Sequence, residues 1–203
     1  PGAGPVGASA ALAPFLPGPL VERGRDGDKG DTFTFAMPAH SIGRMVAFHG
    51  NVAMFVRAWA YVRRLGAAGL REAAMHAVLN ANYLKARIGD DYRVPFARTC
   101  MHEFVCEGTP EGTTVRAIDV SKRLMDFGFH PPTNYFPLNV REALMIEPTE
   151  TEDKATLDAF AAALARIAEE ARSQPDVLHD APHDTPVRRL DEVKAARELK
   201  VSE

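Results

Sequence analysis

Between Asp119 and Glu152 a helix start, a helix stop, a proline pair, two short apolar runs and a second helix start follow one another without a gap. Asp119 is a candidate N-cap for a helix over 120–127. Gly128 stands where a left-handed stop belongs, and Pro131 and Pro132 forbid continuation. The runs 134–138 and 143–146 are separated only by the 139–142 turn, a spacing that predicts an antiparallel strand pair. Thr149 with Glu152 three residues on predicts a capping box opening a last long helix. Leu157, Phe160, Ala161, Leu164, Ile167 and Ala171 then share one face of it, and Pro175 marks its end. Short, mostly antiparallel strands alternating with helices indicate an α+β fold, a small sheet covered by helices.

Upstream, the pattern is looser. The run 6–12 has small apolar residues without alternation and reads as a buried strand. GRDGDKGD at 24–31, with Lys29 inside it, reads as a solvated loop. A long helix is predicted over 41–65, with Ser41 as N-cap and Met45, Val52, Phe55, Val56, Trp59 and Val62 apolar nearly all round. Gly50 weakens that helix and Gly66 ends it. A second helix spans about 69–88, where Leu70, Ala73, Ala77, Ala81 and Leu84 keep helical spacing, and Gly89 supplies the stop. A strand follows over 99–105. The tail 176–203 is polar, with a short helix near 187–199.

Charge and cysteine content exclude several classes. With 24 basic against 27 acidic residues the chain has no broad basic face for a phosphate backbone, so nucleic acid is set aside. Cys100 and Cys106, the two cysteines, would stand roughly 20 Å apart at ~3.3 Å per residue of strand. A disulfide tolerates about 4.4 to 6.8 Å between Cα atoms, so a reducing, cytoplasmic compartment is expected. No apolar run approaches the ~20 residues of a membrane span, and the first residues lack the basic start of a secretory signal.

The polar constellations are weighed next. Cys100 and His102 supply two metal ligands where zinc takes about four, so no metal is expected. Glu147, Glu150, Glu152 and Asp153 suit the first turn of a helix, where the macrodipole favours negative charge. Residues 1–7 contain no Gly-Lys-Ser/Thr and open no helix, so they do not form a Walker loop. Asn80, Asn82 and Tyr83 sit in mid-helix, which implies either exposure or buried hydrogen-bond partners. His130, before the proline pair, is read as a turn residue that also has the position to line a cleft.

Nine ordered segments then add a resemblance. They are GPVG at 4–7, LAPFLP at 12–17, SIGR at 41–44, WAY at 59–61, LNANYL at 79–84, HEF at 102–104, DVSKRL at 119–124, GFHPPT at 128–133 and EPTETE at 147–152. Together they resemble the C-terminal part of pyridoxal-phosphate-dependent glycine decarboxylase, the P-protein of the glycine cleavage system. FHGN at 48–51 is more similar to the second subunit of the two-subunit bacterial form.

The resemblance implies a fold-type-I architecture: the end of the large coenzyme domain over 1–40, a connecting helix over 41–66, a small C-terminal domain over 67–175 and a polar tail over 176–203. It implies decarboxylation of glycine with pyridoxal phosphate as electron sink, and transfer of the aminomethyl group to the lipoyl arm of H-protein. The rest of the P-protein, its other subunit and H-protein are the implied partners, in an oligomer. In that family a His-Lys-Thr-Phe segment carries the coenzyme lysine, and a glycine run ending in Pro-Gly follows it. Pro1-Gly2 resembles the end of that run, so the lysine is expected upstream and this chain alone is expected to be inactive. Its own lysines, at 29, 85, 122, 154, 194 and 200, do not match the lysine motif. Arg98, His102, His130 and Thr133 are the candidates for lining the substrate cleft. A bidentate arginine suits a carboxylate, yet a tight clamp on the departing group would oppose its loss, which weighs against Arg98. A rival reading is a non-catalytic binding or assembly module of the same ancestry.

Overall fold

The computed structural model describes residues 2–25, 30–46 and 50–202, and the chain divides into two compact units, Pro1–Ala67 and Ala68–Glu203.

In the first unit the run 6–12 is not a strand. The amides of Leu12 and Ala13 both donate to the Ser9 carbonyl, at 3.0 and 2.9 Å, and the chain curls into a 3-10 turn, Ala13–Phe15. Pro14 stands inside that turn, where its fixed φ suits a helical start and not a ladder. The strands lie further on, as an antiparallel hairpin of β1 (Leu20–Arg25) and β2 (Asp31–Ala36), running from Leu20 opposite Ala36 to Arg25 opposite Asp31. β2 alternates Thr32, Phe33, Thr34 and Phe35, β-branched and aromatic residues that suit a pleated ribbon. The solvated loop predicted over 24–31 is therefore shorter than expected at both ends, and Lys29 lies outside the described residues.

The long helix, α1 (Val52–Ile88), starts later than predicted. Ser41 does not cap it: its hydroxyl donates to the Leu16 carbonyl at 2.7 Å and accepts from the Gly43 amide at 3.1 Å. Gly43 and Gly50 have φ of 99° and 101°, left-handed backbone that a right-handed helix cannot include. Residues 47–49 of the FHGN segment lie outside the described residues. Gly66 leaves helical geometry at φ 64°, ψ −174°, so α1 is two helical stretches, 52–65 and 67–88.

The second unit carries the core. Its sheet has the order β3-β5-β4, from β3 (Phe104–Glu107), β4 (Thr133–Asn134) and β5 (Ala143–Ile146), all antiparallel. Phe104 faces Ile146, and Thr133 faces Met145. β3 begins at Phe104 and not at 99, because the Asn82 side chain takes both the amide and the carbonyl of Cys100, at 3.0 and 2.8 Å. β4 stops at Asn134, where Tyr135 adopts φ 62° and Pro137 lacks an amide hydrogen.

The helices are α2 (Ala117–Asp126), α3 (Lys154–Ser173), α4 (Pro175–His179) and α5 (Glu192–Arg197). α2 starts three residues before the predicted position. Arg116 is its N-cap, and Asp119, inside the first turn, accepts the Arg116 amide at 3.0 Å. α3 is capped by Asp153, whose carboxylate accepts from the Thr156 amide at 2.8 Å, and not by Thr149. The carbonyls of Thr149 and Glu152 are instead held by Asn80, at 2.9 and 3.0 Å, which keeps 149–152 a turn. Pro175 both follows α3 and opens α4 at a position that needs no amide hydrogen.

Leu84, Tyr92, Cys106, Val120, Leu124, Leu144, Leu164, Ile167 and Leu178 form the centre of this unit, all essentially inaccessible. Each large apolar side chain so buried contributes about 1.5 to 3 kcal/mol. The Tyr92 hydroxyl donates to the Leu164 carbonyl at 3.1 Å, so its one polar atom is satisfied. Around the core runs an ionic layer. Arg123 bridges Glu170 at 2.9 Å and Asp126 at 3.0 Å. Arg189 donates to Asp119 at 2.7 Å and to the Leu178 and Ala181 carbonyls, tying the C-terminal segment to α2.

Candidate functional site

The second unit carries an open cleft of about 600 Å³, within the range typical of small-molecule sites. Three segments make its walls: 128–133, which is GFHPPT; 145–149, which leaves the sheet at the end of β5; and the first turns of α3, through Thr156, Leu157 and Phe160. Leu84 from α1, Glu103 and Glu152 complete the lining. The chain reaches this wall because α2 ends at Asp126 and Gly128 takes φ 80°, a turn that an L side chain rarely adopts. Phe129 and Phe160, from two of the walls, meet edge to face with centroids 5.2 Å apart.

The LNANYL segment of α1 holds this construction together. Asn80 bonds the two carbonyls of the 149–152 turn, Asn82 bonds Cys100, and the Tyr83 hydroxyl donates to Asp158 on α3. Of the two alternatives left open for the mid-helix asparagines, hydrogen-bond partners are the answer. Lys85 continues the series: its ammonium donates to three successive carbonyls, those of Phe96, Ala97 and Arg98, at 3.0, 3.2 and 2.5 Å.

The four cleft candidates divide. His130 and Thr133 line the cavity. His102 does not line it, but its Nε2 lies 3.9 Å from a carboxylate oxygen of Glu147, which does. Arg98 is not among the lining residues, and only its carbonyl is engaged, by Lys85. Sequence reasoning missed Glu147 and Glu152 as lining residues because the acidic run was assigned to helix capping, and it missed Glu103 on the predicted strand 99–105 as well. Only Asp153 of that run caps the helix. The available signal was the alternation along 147–152, which a turn uses differently from a helix.

Cofactor chemistry at this cavity is constrained by what lines it. No lysine or arginine does, so nothing there neutralises a phosphate or offers an amine to an aldehyde. Lys85 is engaged by three carbonyls, and Lys154 pairs with Asp158 at 2.5 Å and lies over the Tyr83 ring. The lining residues therefore do not fit pyridoxal phosphate. Among the described residues no three His, Cys, Asp or Glu side chains come together as metal ligands. Cys100 and Cys106 are both free, and burial pushes the Cys106 thiol up to about 12, which keeps it protonated.

A three-stranded antiparallel sheet with helices packed around it and a cleft beside it define a small α+β domain. Comparison with known proteins makes the assignment specific. The chain belongs to the family described as glycine dehydrogenase, C-terminal domain, whose model matches residues 73–186, more than half of its length. It is 53% identical over 200 residues to the probable glycine dehydrogenase (decarboxylating) subunit 2 of Desulforamulus reducens, covering 97% of this chain and 40% of that protein. The protein of the same name from Caldanaerobacter subterraneus subsp. tengcongensis is 55% identical over 198 residues, again covering 97% and 40%. That from Chlorobaculum tepidum is 50% identical over 204 residues, covering 99% and 42%. The chain thus spans about 40% of the length of these relatives. A crystal structure of glycine decarboxylase (P-protein) of the glycine cleavage system, in inhibitor-bound form, shares the fold with a TM-score of 0.64 at 22% identity, over 78% of this chain and 37% of that one. Among the described residues no helix is long and apolar enough to cross a membrane.

Proposed function

We propose that this chain is the C-terminal portion of the second subunit of a cytoplasmic glycine dehydrogenase (decarboxylating). In this reading the complete enzyme removes the carboxyl group of glycine and passes the aminomethyl group to the lipoyl arm of H-protein, with the other subunit as an obligatory partner. Pyridoxal phosphate supplies the electron sink in the complete enzyme. The observation that carries the reading is identity of about half the residues, along nearly the whole chain, to proteins of that name.

Within that enzyme this chain supplies a wall of the substrate cleft and no covalent anchor for the coenzyme. The engaged ammonium groups of Lys85 and Lys154 support the second point. His130 and Thr133 are positioned to contact substrate, with His102 acting beside Glu147. Histidine is a side chain that can hold or pass a proton, which suits His130 to a reaction that replaces a carboxyl group.

The test is release of labelled CO2 from carboxyl-labelled glycine by the intact protein, with its partner subunit and lipoylated H-protein. His130→Ala is expected to lower the rate at least tenfold with the melting temperature unchanged. Absence of CO2 release from the intact assembly overturns the reading. So does visible coenzyme absorbance that is lost on replacing Lys85 or Lys154.

A further inference from the structure

The stretch 147–152 leaves the sheet at the end of β5 and reaches the start of α3, and its residues Glu147, Pro148, Thr149 and Glu152 line the cleft. Once off the ladder, its carbonyls need partners from elsewhere. Two of them are met from α1: the side-chain amide of Asn80 donates to the Thr149 carbonyl at 2.9 Å and to the Glu152 carbonyl at 3.0 Å, across 69 and 72 positions of chain. A primary amide has two N–H donors, so both are spent on this turn. The Glu152 amide also donates to the Thr149 carbonyl, at 3.3 Å, so the same oxygen closes the turn from within and anchors it from outside. The hydroxyls of Thr149 and Thr151 bond each other at 2.7 Å, inside the turn.

Asn80 is half-buried and is not among the lining residues, whereas Leu84, one helical turn further along the same face of α1, is. The amide therefore holds the wall from behind. A turn released from such a clamp samples several conformations, and a ligand that needs one of them binds more weakly in proportion to the share of molecules that hold it. We propose that Asn80 is a positioning residue for the cleft, keeping 147–152 in the arrangement that admits substrate. The proposal rests on the reading of this cleft as part of the substrate site of the decarboxylase. Asn80 touches no substrate in it, so its loss is felt in substrate affinity and not in the chemical step.

Asn80→Asp tests it, because the side chain keeps its size while an ionised carboxylate has no hydrogen to donate. Asn80→Ala removes the donors without adding a charge. In the intact assembly, with partner subunit and lipoylated H-protein, both variants are expected to raise KM for glycine about tenfold with kcat within about twofold of wild type. A variant that is merely less folded loses active molecules, which lowers kcat and leaves KM alone. In the same proteins without substrate, amide hydrogen exchange over 147–152 should quicken about tenfold, with α2 and β3 at wild-type rates. Unchanged KM in either variant, a fall in kcat as large as the rise in KM, or unchanged exchange over 147–152 overturns the role. If the wild type releases no CO2, the decarboxylase reading falls, and the exchange measurement by itself decides whether Asn80 holds the wall.

Discussion

The two units use apolar side chains in opposite ways. In the second, Leu124, Leu144, Leu164 and Ile167 interlock in a core sealed by helices and sheet. In the first, Phe33, Phe35 and Trp59 are each about two-thirds exposed, and none of its described residues is buried. Helical or strand periodicity predicts which residues share a face. It does not supply the second surface against which that face is buried, and a two-stranded hairpin alone is marginal in water. The second unit meets that requirement with its own elements. The first, taken by itself, does not.

Three measurements sharpen or break this contrast. The largest effect belongs to the core: Leu164→Ala is expected to destabilise the protein by about 2 to 5 kcal/mol, whereas Trp59→Ala should cost only about 0.5 kcal/mol where the ring stays exposed. Denaturant titration with a probe in each unit checks this. A Trp59→Ala loss as large as that of Leu164→Ala would show that the first unit is covered in the intact protein.

Next comes Gly108, whose added Cβ would sit 2.6 Å from Leu144 Cγ, 2.8 Å from Ala117 Cβ and 2.9 Å from the Glu142 carbonyl. Two of these neighbours belong to backbone or short core atoms that cannot rotate away. Gly108→Ala is therefore expected to cost about 1 to 3 kcal/mol by overpacking, seen as a lower denaturation midpoint.

The smallest effect is a pH dependence confined to the second unit. Burial alone would raise Glu170, but hydrogen bonds and charge from Arg123 and Arg166 outweigh it and hold the carboxyl below its ordinary value. Burial also opposes ionisation of Asp126, and the amides of Asp184 and His183 together with Arg123 outweigh it there. Both acids bind protons less readily folded than unfolded. Their contribution is complete above the unfolded pKa of about 4, and is lost as pH falls through the lower folded values. The melting temperature should be level from about pH 7 to 5 and decline below about 4. Glu170→Gln combined with Asp126→Asn should lower the pH 7 value and flatten that decline. An unchanged slope would place the acid sensitivity outside this ionic layer.

Legibility in the sequence followed the range of the forces. The helix predicted over about 69–88, the antiparallel pairing of the run beginning at Asn134 with 143–146, the apolar face of α3 and the stop at Gly128 were readable, because each depends on spacing or on one residue's backbone preference; the extension of the first of those strands to 138 was not. The starts of α1 and α3 and the true start of β3 were not. Ser41 bonds Leu16 across 25 positions, and Asn80 and Asn82 divert backbone groups that a local reading assigns to a helix turn or a strand ladder. The β1–β2 hairpin was missed although Thr32 to Phe35 alternate, because the glycines and charges beside them suggested a loop.

For the cleft, the residue string GFHPPT marked out a turn with a histidine at its mouth, and ordered motifs marked out the family. By itself the sequence thus determined most element types of the second unit, the capping chemistry available and the kinship of the chain, since these are written in neighbouring residues. Only the tertiary structure decided that Glu103, Glu147 and Glu152 share a cavity with His130, and that Arg98 does not. Those outcomes depend on where a strand end, a turn and a helix start meet in space, and long-range hydrogen bonds from one helix place them there.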